Sequence, residues 1–151
     1  MTLNKPLKRF LDTNILVYSV DLSLPNRSKH RSTLEILRPS EQEILYISPQ
    51  IIAEFYAVVT SAKSVVNPIS LPEAIARIER LVQMPNMEVL PVPSDLFSLW
   101  LSLLKQHPVS GAKVFDLMHI ATMLAYNITS IYTFNADDFN WCKEIQVIIP
   151  D

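Results

Sequence analysis

The chain has 151 residues, of which 49% are apolar and 19% charged, with a net charge of −2. That balance suits one compact domain with a sizeable core over residues 1–151, and it excludes both a disordered chain and a global electrostatic pull on nucleic acid, leaving only local basic patches for such a contact. Cys142 is the only cysteine and Gly111 the only glycine, so an internal disulfide, a glycine-rich phosphate loop and a dinucleotide fingerprint are all excluded. Charge or proline breaks every apolar run before it reaches membrane-spanning length, and MTLNKPLKRF lacks the apolar centre of a secretory signal. A cytoplasmic protein is expected.

In chain order, Arg9–Asp12 reads as a short buried strand and Asn14–Val20 as a short helix. A polar helix follows over Asn26–Leu37, with Leu34 and Leu37 on one face, and then a second strand over Leu45–Ser48. Ser48-Pro49 opens a helix reaching about Ala62, because serine caps well and proline suits the first turn. Ser70-Leu71-Pro72-Glu73 has the spacing of a capping box, and Ile75, Ile78, Leu81 and Val82 behind it recur at helical spacing. Met87–Val92 reads as a third strand. Pro93 or Ser94 opens a helix bearing Leu96, Trp100, Leu103 and Leu104, which stops before Pro108. Val114–Tyr126 is the last helix, and Ser130–Phe134 and Gln146–Ile149 are the last strands.

This alternation predicts an α/β fold, with a mostly parallel sheet covered on both faces. In such sheets the ligand crevice lies beyond the carboxyl ends of the strands. Asp12 ends the first strand, and Asn135-Ala136-Asp137-Asp138 follows the fourth, so both open onto that rim.

Four acidic positions sit in apolar or strand-end contexts. Asp12 could cap the helix behind it or hold a ligand. Glu54 shares a helix face with Ile51 and Val58 in SPQIIAEFYAVVT, where an ionised carboxylate needs a basic partner, a metal or an edge position. Asp116 stands in the first turn of an apolar helix, which the helix dipole alone would favour. Asp137 or Asp138 could simply cap a turn. Convergence on one rim changes the balance, since clustered carboxylates repel unless a cation neutralises them. An oxygen-rich set suits Mg²⁺ or Mn²⁺ rather than zinc. Such ions clamp phosphate oxygens and activate water for in-line attack, which points to phosphodiester chemistry.

FLDTNILVYSVD, SPQIIAEFYAVVT, GAKVFDLMHIATMLAYNITSIYTFNADDF and the closing VIIP resemble a PIN-domain protein. Within that family the sequence is most similar to the VapC-type ribonuclease toxins of bacterial toxin–antitoxin pairs. The likeness runs from about Arg9 to Pro150, with blocks in matching order and spacing. It implies a three-layer α/β/α sandwich around a parallel sheet, with an acidic pocket that binds Mg²⁺ or Mn²⁺ and cuts RNA by metal-activated water. Asp12, Glu54 and Asp116 match the first three acids of the family. The pattern Thr-x-Asn/Asp-x-x-Asp-Phe matches Thr133, Asn135, Asp138 and Phe139, with Asn135 where many members carry aspartate. Asp138 is therefore the fourth acid and Asp137 its reserve. The resemblance gives Asp12, Asp116 and Asp138 to the metal, Glu54 to the metal or the attacking water, and Thr13, Asn14, Thr133 and Asn135 to the shape of the pocket.

RNA needs basic contacts, and Arg27, Lys29, His30, Arg31 and Lys113 are candidates, each of which could equally be a solvated surface charge. His119, one turn after Asp116, could reach a metal or be an ordinary surface or core histidine. Trp100, Trp141, Met118 and Met123 read as core or interface. The resemblance further implies a homodimer and a cognate antitoxin covering the pocket. Two rivals stand beside the nuclease. One is a catalytically idle PIN-like interaction module, which Asn135 favours. The other is a receiver domain or phosphatase, against which Asp12-Thr13-Asn14 lacks the paired Asp-x-Asp.

Overall fold

The computed structural model describes residues 4–151, so the first three residues lie outside the described residues. Among the described residues five strands form one sheet in the order β3-β2-β1-β4-β5, every neighbouring pair parallel. The strands are β1 (Leu7–Leu11), β2 (Glu43–Ile47), β3 (Met87–Val89), β4 (Ser130–Tyr132) and β5 (Gln146–Ile148). The helices are α1 (Thr13–Ser19), α2 (Arg27–Ile36), α3 (Pro49–Val59), α4 (Leu71–Val82), α5 (Leu96–Gln106) and α6 (Lys113–Ala125). Helices cover both faces of the sheet, as in the expected three-layer sandwich; α1 packs on α2 and α3, and α5 on α6.

A parallel sheet buried on both faces needs continuous apolar strands rather than alternating ones. Phe10, Leu11, Leu45, Ile47 and Ile131 are accordingly buried in β1, β2 and β4. The chain winds from β1 to β2 and β3 in one direction, then returns to β4 and β5 on the other side. The strand order therefore reverses between β1 and β4, where a crevice opens past the carboxyl ends of an open α/β sheet. Leu11 is in register with Tyr132 there, and the Asp12 amide donates to the Tyr132 carbonyl at 3.0 Å.

Helix starts follow their capping chemistry. Ser48 Oγ accepts from the Ile51 amide at 3.1 Å, with Pro49 in the first turn. Ser70 Oγ accepts from the Glu73 amide at 3.2 Å. The Glu73 carboxylate pairs with Arg77 at 2.8 Å and Arg80 at 3.8 Å, so only one half of the anticipated capping box forms. Several boundaries differ from expectation. β1 begins at Leu7 because pairing with β2 extends it through exposed residues. A 3-10 turn over Leu24–Asn26 precedes α2, α3 stops at Val59, and β3 is only three residues long. Thr33, not Leu34, is the buried residue of α2.

Candidate active site

Asp12 caps α1 and stands at the rim as well. It is 6% exposed, with Oδ1 accepting from the Thr13 amide at 2.8 Å. Oδ2 accepts from Thr133 Oγ1 at 2.6 Å and from Asn14 Nδ2 at 3.2 Å. Asn14 Oδ1 in turn accepts from the Phe134 amide at 3.3 Å, which stitches the end of β1 to the end of β4. Burial pushes the Asp12 carboxyl above its ordinary value, against the pull of Thr133 and the Thr13 amide.

Glu54 lies beside the core rather than in it. The buried stripe of α3 is Ile51, Phe55 and Val59, and Glu54 sits at its edge, 31% exposed, which corrects the expected company of Val58. Its Oε2 accepts from Thr13 Oγ1 at 2.6 Å and lies 3.1 Å from His119 Nε2. Its Oε1 accepts from Gln50 Nε2 at 2.9 Å. Burial pushes the Glu54 carboxyl up, but His119, Thr13 and Gln50 together outweigh it and hold the group below its ordinary value.

Asp116, in the first turn of α6, is pushed up to about 7 by burial and by the charges of Asp138 and Asp12, with Glu54 adding to the effect. Among the described residues no lysine or arginine forms an ion pair with Asp12, Asp116 or Asp138. The negative charge is thus left largely uncompensated. Asp137 and Asp138 share a 3-10 turn, and both line a cavity of about 30 Å³ with Lys113, Asp116, His107 and Trp141. Of the two, Asp138 is the one whose charge acts on Asp116.

Thr13, Asn14 and Thr133 therefore join Asp12 and Glu54 in one hydrogen-bond network. Asn135 enters it through its backbone, the amide donating to Thr133 Oγ1 at 3.0 Å. Sequence reasoning missed Gln50, although its place one turn before Glu54 on the same helix is the pattern that lets side chains meet. Of the candidate basic residues, Lys113 lines the cavity of Asp116 and Asp138, and among the described residues none of them makes a hydrogen bond to an acid of the site. Arg27, Arg31 and Lys113 are exposed, and Lys29 Nζ rests 4.7 Å from the Tyr18 ring centroid and 5.5 Å from that of Phe134. His30 Nδ1 lies 2.9 Å from the Tyr18 carbonyl oxygen. Trp141 stacks on His107, ring centroids 4.0 Å apart, and Met123 is buried in the core.

Among the described residues no three acidic, histidine or cysteine side chains close on one point as a ready-made cage. The donors nevertheless fit a hard divalent cation. They are all oxygens, the charges of Asp138 and Asp12 raise the proton affinity of Asp116, and Mg²⁺ takes one or two carboxylates while keeping several waters. Asp12, Asp116 and Asp138 are the residues that would hold it.

No curated protein sequence matches the chain. Solved structures share its fold, three of them as follows. One is VapBC2 from Rickettsia felis bound to a DNA fragment from their promoter, with 19% identity and TM-score 0.67, covering 96% of this chain and all of that one. A second is VapC20 from Mycobacterium tuberculosis, a sarcin–ricin loop cleaving toxin, with 15% identity and TM-score 0.64, covering 88% of this chain and 94% of the other. The third is VapBC-1 from nontypeable Haemophilus influenzae, with 19% identity and TM-score 0.63, covering 95% of this chain and 98% of the other. The family model of the PIN domain matches residues 9–141, spanning all four acids, and the chain belongs to the PIN domain family.

Proposed function

We propose that the protein is a Mg²⁺- or Mn²⁺-dependent endoribonuclease and the toxin of a VapBC-type toxin–antitoxin pair, acting in the cytoplasm. The observation that carries this reading is Asp116, pushed up to about 7 among three other carboxylates, with no lysine or arginine among the described residues paired to Asp12, Asp116 or Asp138. A cation bound there would polarise the scissile phosphate and make a water acidic enough to attack it. Asp12, fixed by Thr133, Asn14 and the Thr13 amide, supplies a rigid ligand at the end of β1. Asp116 and Asp138 bring ligands from α6 and from the turn after β4. Glu54, ionised and gripped by three donors, holds or orients the attacking water. Arg27, Lys29, Arg31 and Lys113 contact RNA phosphates, and replacing any one should lower the salt dependence of binding by about 0.7 in slope for a single strand.

The solved VapBC relatives support an antitoxin partner. Exposed Leu22, Leu24, Val66 and Phe97 supply apolar surface for that partner or for a homodimer. No helix among the described residues is long and apolar enough to cross a membrane. The test is cleavage of a mixed RNA pool with Mg²⁺, with Mn²⁺ and with chelator, beside an Asp116→Asn protein purified identically. Cleavage that needs metal and vanishes in the variant supports the nuclease. Cleavage that persists in the variant refutes the assigned site. No cleavage by folded, antitoxin-free protein refutes the nuclease in favour of an idle interaction module.

A further inference from the structure

His119 stands in the middle of α6 among buried Leu117, Ile120, Ala121 and Met123. An aliphatic side chain would fill this place without any polar atom to satisfy, yet the imidazole is there and is 1% exposed. Its ring leans on Phe10 of β1, centroids 6.1 Å apart. Nε2 lies 3.1 Å from Glu54 Oε2, whereas Nδ1 is buried without any hydrogen-bond partner among the described residues. An ionised carboxylate only accepts, so Nε2 bears the hydrogen whichever charge the ring carries. Buried polar atoms are rarely left unpaired. Here one ring nitrogen is, and the other makes the ring's single polar contact, to an acid of the site.

We propose that His119 is a positioning residue for the acid cluster, its Nε2–H pinning Glu54 Oε2 from α6 while Thr13 grips the same oxygen from α1. Gln50 holds the other oxygen from α3. Glu54 is a long, partly exposed side chain facing the like charges of Asp12 and Asp116, which drive it away from the rim. The three donors oppose that repulsion. His119 is also three residues after Asp116, so one helix carries an acid and the donor that registers a second acid against it. The inference rests on reading the cluster as a divalent-cation site.

The test uses the full chain with His119→Leu and His119→Gln, each checked for folding by circular dichroism. Mn²⁺ binding is measured by calorimetry, and kcat and KM for RNA cleavage are measured separately. Outer partners of metal sites are worth about 10–100-fold in affinity or activity. His119→Leu should weaken Mn²⁺ binding and lower kcat within that range with KM unchanged, and His119→Gln, which restores an N–H donor, should recover most of the loss. A metal-free readout runs beside these. Long-range ¹H–¹⁵N NMR should show the His119 Nε2 resonance moving on Glu54→Gln. A folded His119→Leu protein that binds Mn²⁺ and cleaves like the parent overturns the proposal, as does a folded His119→Gln protein as impaired as His119→Leu. If the parent itself binds no Mn²⁺, the cation reading falls. The NMR experiment then decides the positioning alone, and ring nitrogens indifferent to Glu54→Gln overturn it.

Discussion

In the metal-free protein, Asp116→Asn should raise stability while it removes activity. The folded carboxyl sits at about 7 against an ordinary 3.8, and a displacement of that size is worth about 4 kcal/mol of destabilisation once the group is ionised. The side chain is only half-buried, so solvent screening takes roughly half and leaves about 2 kcal/mol. For a chain of this size that is about 4–8 °C in Tm. The sign follows from proton binding. The unfolded carboxyl releases its proton near 3.8 and the folded one near 7, so in that interval the native state binds more protons. Stability contributed by the protonated group is complete below the lower value and is lost as pH rises to the upper one. The advantage of the asparagine protein should therefore be small at about pH 4, grow to about pH 7 and stay flat above. Thermal melts of both proteins in chelator across this range measure it. Adding Mg²⁺ at about pH 8 should stabilise the parent selectively and narrow the gap, because a cation binding only the native state shifts it by mass action. A gap independent of pH, or a variant less stable than the parent at about pH 8 in chelator, would refute the reasoning.

Other substitutions test neighbouring parts of the structure. Thr133→Val removes the 2.6 Å donor to buried Asp12; urea denaturation should show a loss of about 1–3 kcal/mol, and the alkaline onset of RNA cleavage should move to higher pH because Asp12 then holds its proton more tightly. Gly111 has φ +63° and an added Cβ would meet nothing within 4 Å, so Gly111→Ala should cost only the left-handed backbone penalty of about 1–2 kcal/mol, read as a lower urea midpoint at unchanged slope. Ser70→Ala removes the acceptor for the Glu73 amide and should cost about 1 kcal/mol by the same assay, leaving Mn²⁺ affinity unchanged because α4 contributes nothing to the cluster.

The sequence announced Asp12 because an apolar strand ends there in a residue that can cap a helix, and the structure gives it both positions. The layer order was legible for a similar reason: strands buried on both faces read as unbroken apolar runs, and prolines and serines mark the helix starts. Glu54 was harder. Its apolar neighbours suggested a core face, but the buried stripe of α3 runs one residue to the side, and the histidine that steadies it is 65 residues away. No local pattern reports such a pairing. The half-made capping box failed for a related reason, since Glu73 had a better partner in Arg77 one turn along than in the serine amide. Strand ends were misjudged where pairing, not apolar character, sets them, as at Leu7 and after Val89.

The bond from Thr133 to Asp12 spans 121 residues, and the central strand β1 waits for β4 before its second edge is paired. Contacts so distant along the chain form late, because the intervening loop must be closed before they can contribute. During synthesis the segment carrying Asp12 and Glu54 emerges long before its partners do. The acids therefore meet only after β4 has been made and docked, and a chain cut short before it carries Asp12, Glu54 and Asp116 without Asp138 and without a site. Topology thus sets the moment at which this protein can begin to act.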